Sequence, residues 1–442
     1  MRDLTKGKES SLILKFAMPM LLGNIFQQLY NVVDSIIVGN FIGKEALAAV
    51  GASFPIIFAF LSLIIGIASG STIVISQYFG AKEIEKVKRT IDTLFIFLFF
   101  ASITISIIGI IFSEDIFRFL KLPEAVIPQA KVYFNIFIGG VLVSFGFNGT
   151  SAVLRGLGDS KTPLYFLIVS TFFNIGFDLL FVLVFKWGIA GVAIATVLAQ
   201  AGAFLTAVLY LNKKHEIIRF SFTKLIFDKE IFKKSIRIGL PTGIQQTFVA
   251  IGMTALIGIV NRFGTNVIAA YSVVMRIGSL ATLPAMNFAQ ALGTFVGQNI
   301  GAKKMERVKT GLIATLKMSS LVSIAVSAFV LLGAPFLMNL FTNDPEVIRI
   351  GKEYLYIVGG FYVVFSAMFT IAGVMRGAGD TLIPMFFSLI SLWVVRIPSA
   401  WFLSKELGEI GIWWSMPIGW GVGLTLSFIY YLTGNWKKKS VV

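Results

Sequence analysis

The second half of this chain repeats the first at a constant offset of 221 residues, so whatever the first half builds must be built twice. YFGAKEIEKVK, starting at Tyr78, returns as NIGAKKMERVK, starting at Asn299. LRGLGDSKTP, Leu154 to Pro163, returns as MRGAGDTLIP, Met375 to Pro384. Both the step from Gly80 to Gly301 and that from Arg155 to Arg376 are 221 residues. Each half is about 210 residues, far longer than one solenoid unit.

Those halves cannot be soluble domains. Hydrophobic residues make up 56% of the chain and charged residues 14%, against about 25% charged in an average soluble domain. Phe occurs 43 times, and the 42 glycines suit helices that approach closely in lipid. With no cysteine, disulfides and thiolate metal sites are excluded. His215, the only histidine, lies in the charged stretch LNKKHEIIRF and reads as solvated, not as a metal ligand or proton relay.

A bilayer crossing needs about 20 apolar residues. Twelve such runs are expected, at 12–39, 47–79, 92–113, 130–154, 162–185, 188–211, 233–260, 266–298, 310–336, 351–375, 382–403 and 410–433. They are continuous, whereas barrel strands alternate apolar and polar residues. The fold class is therefore all-α and integral to the membrane: two parallel six-helix repeats around a central cleft. The expected domains are an N-terminal lobe (1–211), a basic cytoplasmic connector (212–232) and a C-terminal lobe (233–442). The first run is too long for a signal peptide and is expected to stay in place.

Orientation follows from Lys and Arg in the loops. With the N-terminus inside, inner segments hold 26 of these residues and outer loops hold 9, which places both termini in the cytoplasm. This asymmetry absorbs most of the net charge of +16, so no nucleic-acid partner is needed. An even number of spans per half makes the repeats parallel, an arrangement found in secondary transporters.

An ionisable side chain deep in a span costs about 2.5–3.5 kcal/mol on insertion scales, so such residues are functional candidates. Asp34 lies in FQQLYNVVDSIIVG and Asp178 in STFFNIGFDLLFVLV. Asn174 precedes Asp178 by one helical turn; Tyr30 and Gln27 precede Asp34 on one face. Thr196 is a polar residue within GIAGVAIATVLAQ. Carboxylates with amide and hydroxyl oxygens suit a hard cation such as Na⁺. They equally suit a proton, because apolar surroundings and a nearby like charge both disfavour an ionised carboxylate. Competing readings are a helix cap or a bond to a neighbouring helix for the acids, interhelical bonding for Asn174, backbone bonding for Thr196 and packing for Tyr30 and Gln27.

The acids do not repeat. Ala255 or Leu256 stands at the Asp34 position of the second half, and Ser399 and Val395 at those of Asp178 and Asn174. An ion site confined to the N-terminal half is expected. Pro19 and Pro241 do repeat; a helical proline favours a kink, and Pro19 is expected to bend the first helix, either statically or as Asp34 changes occupancy. Arg276 and Arg396 have no acid near them in sequence and receive no role. The RG-x-GD-[ST] segments at Arg155 and Arg376 read as cytoplasmic helix-end turns, and no Walker A sequence is present, so ATP is not expected as the energy source. No nucleophile–base cluster suggests an enzyme.

These features together resemble the multidrug and toxic compound extrusion (MATE) family. The resemblance spans essentially the whole chain and rests on the twelve spans in two halves, the LYNVVDSIIVG segment and the paired RG-x-GD-[ST] turns. It implies two six-helix bundles facing across a cleft and export driven by H⁺ or Na⁺ entry, without another cofactor. By that resemblance Asp34, Asn174, Asp178 and Thr196 form the cation or proton site. Gln27 and Tyr30 line the cleft beside it, and Pro19 marks the bend in the first helix. Some members carry further acids in the seventh and tenth helices; here Val249 and Phe365 stand about there, which leans toward the DinF-like branch.

The expected protein is an antiporter of the prokaryotic inner membrane. It would export amphipathic, cationic small molecules by alternating access, contacting membrane lipid and acting as a monomer. A flippase for lipids or lipid-linked precursors on the same fold is the alternative, and an ion channel a more distant one.

Overall fold

A computed structural model describes residues 2–214 and 225–442. His215 and part of the expected connector lie outside the described residues. All regular structure among the described residues is helical. The first half contains α1 (Glu9–Ile37), α2 (Lys44–Gly80), α3 (Ile84–Ile111), α4 (Ser113–Phe119), α5 (Ile127–Gly139), α6 (Val141–Gly156), α7 (Lys161–Leu179) and α8 (Gly188–Lys214). The second contains α9 (Lys229–Val260), α10 (Thr265–Gly301), α11 (Met305–Asn339), α12 (Pro345–Gly359), α13 (Tyr362–Gly377), α14 (Leu382–Leu389), α15 (Ile397–Leu407) and α16 (Glu409–Thr433).

Among the described residues ten helices are long and apolar enough to cross a membrane, and two bent pairs, each counted as one span, bring the number to twelve. Those pairs correct the expectation of unbroken spans at 130–154 and 351–375. α5 meets α6 at 50°, and α12 meets α13 at 47°. Both breaks fall beside a Gly-Gly pair, Gly139–Gly140 and Gly359–Gly360. A Cβ on Gly140 would lie 2.5 Å from Val197 Cγ1, so the chain turns where only glycine leaves room for α8.

The repeated motifs are helix ends. After α6, Gly158 N–H donates to Arg155 O and Asp159 N–H to Leu154 O; after α13, Gly379 and Asp380 do the same with Arg376 and Met375. Gly158 (φ 81°) and Gly379 (φ 93°) occupy the left-handed conformation this cap requires. The GAK turns close likewise, with Lys82 and Lys303 left-handed. The RG-x-GD-[ST] segments are helix caps, as expected.

Contacts divide the chain into two units: Arg2 with Pro19–Gly243, and Asp3–Met18 with Ile244–Val442. This differs from the lobes 1–211 and 233–442 read from the repeat, because each repeat's lead-in belongs to the other repeat's unit. In the second unit, Leu4 N–H donates to Gln298 Oε1 (2.9 Å), and Lys304 Nζ donates to Thr5 O (3.0 Å). Arg307 donates to Asn299 Oδ1 (3.0 Å) and Gly7 O (2.8 Å) and pairs with Glu9 at 2.8 Å. In the first unit, Lys234 Nζ donates to Tyr78 OH (2.9 Å), and Asp228 N–H donates to Thr93 Oγ1 (3.0 Å). The residues flanking the second GAK turn thus hold the chain ahead of α1, and in the first unit the end of α2 and the side of α3 hold the start of α9. Arg307→Ala is expected to destabilise the protein by about 1–3 kcal/mol, since it removes several charge-assisted bonds at once. Thermal unfolding in detergent measures this, and an unchanged transition would mean the clamp carries no load.

Candidate ion-binding site

Three helices of the first unit bring the polar residues together. Asp34 lies in the last turn of α1, Asn174 and Asp178 in the last turns of α7, and Thr196 in α8. α1 and α7 each continue directly into a π-helical turn, Val38–Ile42 and Leu180–Val184. Those turns touch each other and both touch α8. Short π turns inside helices are frequent at functional sites, because the wider turn re-aims side chains around it. Both acids sit on the ordinary helix just before one.

All four side chains are buried: Asp34 is 8% exposed, Thr196 3%, Asn174 1% and Asp178 0%. The carboxyls of Asp34 and Asp178 lie close enough for their charges to act on each other. Thr196 Oγ1 lies 3.1 Å from Val192 O, 3.1 Å from Tyr30 OH and 3.5 Å from Asn174 Nδ2. The threonine has one proton and spends it on the Val192 carbonyl, so Tyr30 is the donor in its contact with Thr196. What remains is a surplus of acceptors. Asp34 Oδ1, both Asp178 oxygens and Asn174 Oδ1 are buried and find no protein donor. Two ionised carboxylates cannot donate to one another, so the cluster presents buried acceptors with no proton to share between them.

Sequence reasoning missed Tyr133. It projects from α5, is 7% exposed, and lies within electrostatic reach of both acids. A phenol inside an apolar span was the available signal, but it has no acid at helical spacing on its own helix. Gln27 is exposed, unlike the four buried residues of the cluster. Pro19 is buried, and α1 runs unbroken through it. Val249 and Phe365 pack in the core of the second unit, with Phe365 against Trp420 at 5.0 Å. Arg276 is exposed on α10, whereas Arg396 is buried. Among the described residues, no three His, Asp or Glu side chains gather as a metal cluster.

Two stretches, residues 19–180 and 241–402, each match the MatE family model. The chain belongs to the MATE family of transporters. The matched stretches open on Pro19 and Pro241, the two repeated prolines. Among curated relatives, a probable multidrug resistance protein of Bacillus subtilis, YpnP, is 34% identical over 441 residues, covering 98% of this chain and 97% of that protein. Crystal structures of MATE in bent and in straight conformations each superpose with a TM-score of 0.92 at 25% identity, covering 99% of this chain and 98% of the other. The MATE assignment makes this a multi-pass membrane transporter.

Proposed function

We propose that this MATE protein is an antiporter of the prokaryotic cytoplasmic membrane, both termini inside, exchanging H⁺ or Na⁺ for amphipathic, cationic organic compounds. The observation that carries the reading is the facing pair Asp34–Asp178, buried and free of any basic ion-pair partner among the described residues. Such a pair is costly to bury as two anions and favourable once a positive charge joins it. Asn174 and Thr196 complete the oxygen set, and Tyr30 and Tyr133 border it. A cationic substrate and the coupling ion compete for the same negative charge, which yields exchange. Gln27 and Tyr30 serve as the first contacts for substrate, and Pro19 lets α1 bend as Asp34 loads and unloads. Acids confined to the first unit, with Val249 and Phe365 in the second, favour the DinF-like branch.

The test is uptake of a fluorescent organic cation into proteoliposomes under separately imposed Na⁺ and pH gradients. One gradient alone is expected to drive transport, which identifies the cargo ion. Equal flux with neither gradient present would reject coupling.

A further inference from the structure

The second unit carries the opposite imbalance. Arg396 ends the π-helical segment Ile390–Arg396, within the apolar span Leu382–Leu407, and is 7% exposed. Among the described residues, the ion pairs of this unit are those of Arg307 and Arg349, and none reaches Arg396. Its Nη1 rests on Met253 Sδ at 3.7 Å, a weak acceptor, and its charge lies within electrostatic reach of the Tyr271 hydroxyl. Its Nε is buried without a partner. The Tyr271 ring stacks on Trp413 at 5.9 Å, and Trp413 Nε1 is a further buried donor without a partner. Tyr354 closes this ring cluster, at 6.4 Å from Tyr271 and 5.1 Å from Trp413, and turns its hydroxyl to Met416 Sδ.

One full positive charge and a surplus of donors are therefore buried with only sulfur and a phenol nearby. An unpaired buried charge is among the most costly features a fold can hold, and buried donors without partners call for an explanation. We propose that the Arg396–Tyr271–Trp413 cluster binds one small monovalent anion. Arg396 lies about 16 Å along the helix from the nearer end of its span, counting about 1.5 Å per residue. That depth excludes a lipid headgroup and leaves a small inorganic anion such as chloride, or the carboxylate of an organic compound. The site is independent of Asp34 and Asp178, which lie in the other unit.

The test is thermal unfolding of the purified full chain in detergent at fixed Na⁺ and ionic strength, replacing isethionate, which carries no carboxylate, stepwise by chloride or by benzoate. Saturable stabilisation by chloride, lost in Arg396→Gln and kept in Asp34→Asn, is the expected result. Saturation by benzoate alone, equally dependent on Arg396, supports the site and assigns it to an organic carboxylate. Identical melting in all three anions overturns the proposal, as does an unchanged response in Arg396→Gln. Should that variant not fold, Tyr271→Phe decides: it keeps the stacked ring and removes one hydroxyl. It is expected to raise the half-saturating concentration about fivefold, and an unshifted curve overturns the proposal.

Discussion

Asp34→Asn and Asp178→Asn each bring gradient-driven transport in proteoliposomes down to the level of vesicles without protein, while the purified variant melts no lower than the parent. The expectation follows from what an amide changes. Asn matches Asp in size, so the packing of α1 and α7 around the site stays as it is. It removes one negative charge from a buried pair and adds an N–H₂ facing acceptors that had no donor. Repulsion falls and a hydrogen bond worth about 0.5–1.5 kcal/mol becomes available, so the fold is stable or more so. Function moves the other way. An amide does not take up a proton in the working pH range and offers a cation no charge, so the exchange cycle loses its counter-ion. A variant that melts several degrees lower would recast the carboxyls as structural. Full transport by either variant would remove that acid from the mechanism.

How the sequence points to this site, and where it stops, has a physical logic. Asp34 and Asp178 are legible because charge inside an apolar run is expensive wherever it lies, and Asn174 because one helical turn fixes its direction relative to Asp178. Thr196 sits on a third helix, so only the packing of α8 reveals that it hydrogen-bonds Tyr30. Tyr133 stayed hidden for the same reason. The π turns after Asp34 and Asp178 have no pattern of apolar residues that marks them, since a single wide turn costs little and alters no periodicity over a long span. The bends at 139–140 and 359–360 were written as Gly-Gly in both halves, yet glycine is common in lipid-embedded helices and does not by itself signal a break. Arg396 was visible as a charge without a sequence-local partner; only the structure shows that none reaches it through space either.

Gly70→Ala is expected to lower stability by about 1–3 kcal/mol, whereas Gly202→Ala is expected to raise it by about 0.5–1 kcal/mol. Both add one methyl inside a helix, at a buried position for Gly70 and an exposed one for Gly202, and what matters is the neighbour. Gly66 and Gly70 on α2 face Gly239 and Gly243 on α9, each pair four residues apart in the G-x-x-x-G pattern that lets membrane helices meet backbone to backbone. A Cβ on Gly70 would lie 2.5 Å from Gly239 N, one on Gly66 2.5 Å from Gly243 N, and one on Gly239 2.5 Å from Ile67 Cα. Those are main-chain atoms, which cannot rotate aside as a side chain would, so the helices must separate. Gly202 in α8 has nothing within 4 Å of its Cβ position, and alanine there gains only helix propensity. The crossing lies in the first unit, in the short part of α9 that precedes the boundary at Gly243 and contains Pro241. Forcing it apart therefore disturbs the helix where it passes from one unit to the other, and transport by Gly70→Ala should fall even at temperatures where the protein stays folded. Paired unfolding and transport measurements on the two variants decide the matter: equal stabilities would mean that α2 and α9 are held apart by side chains after all, and the glycine contact would lose its role.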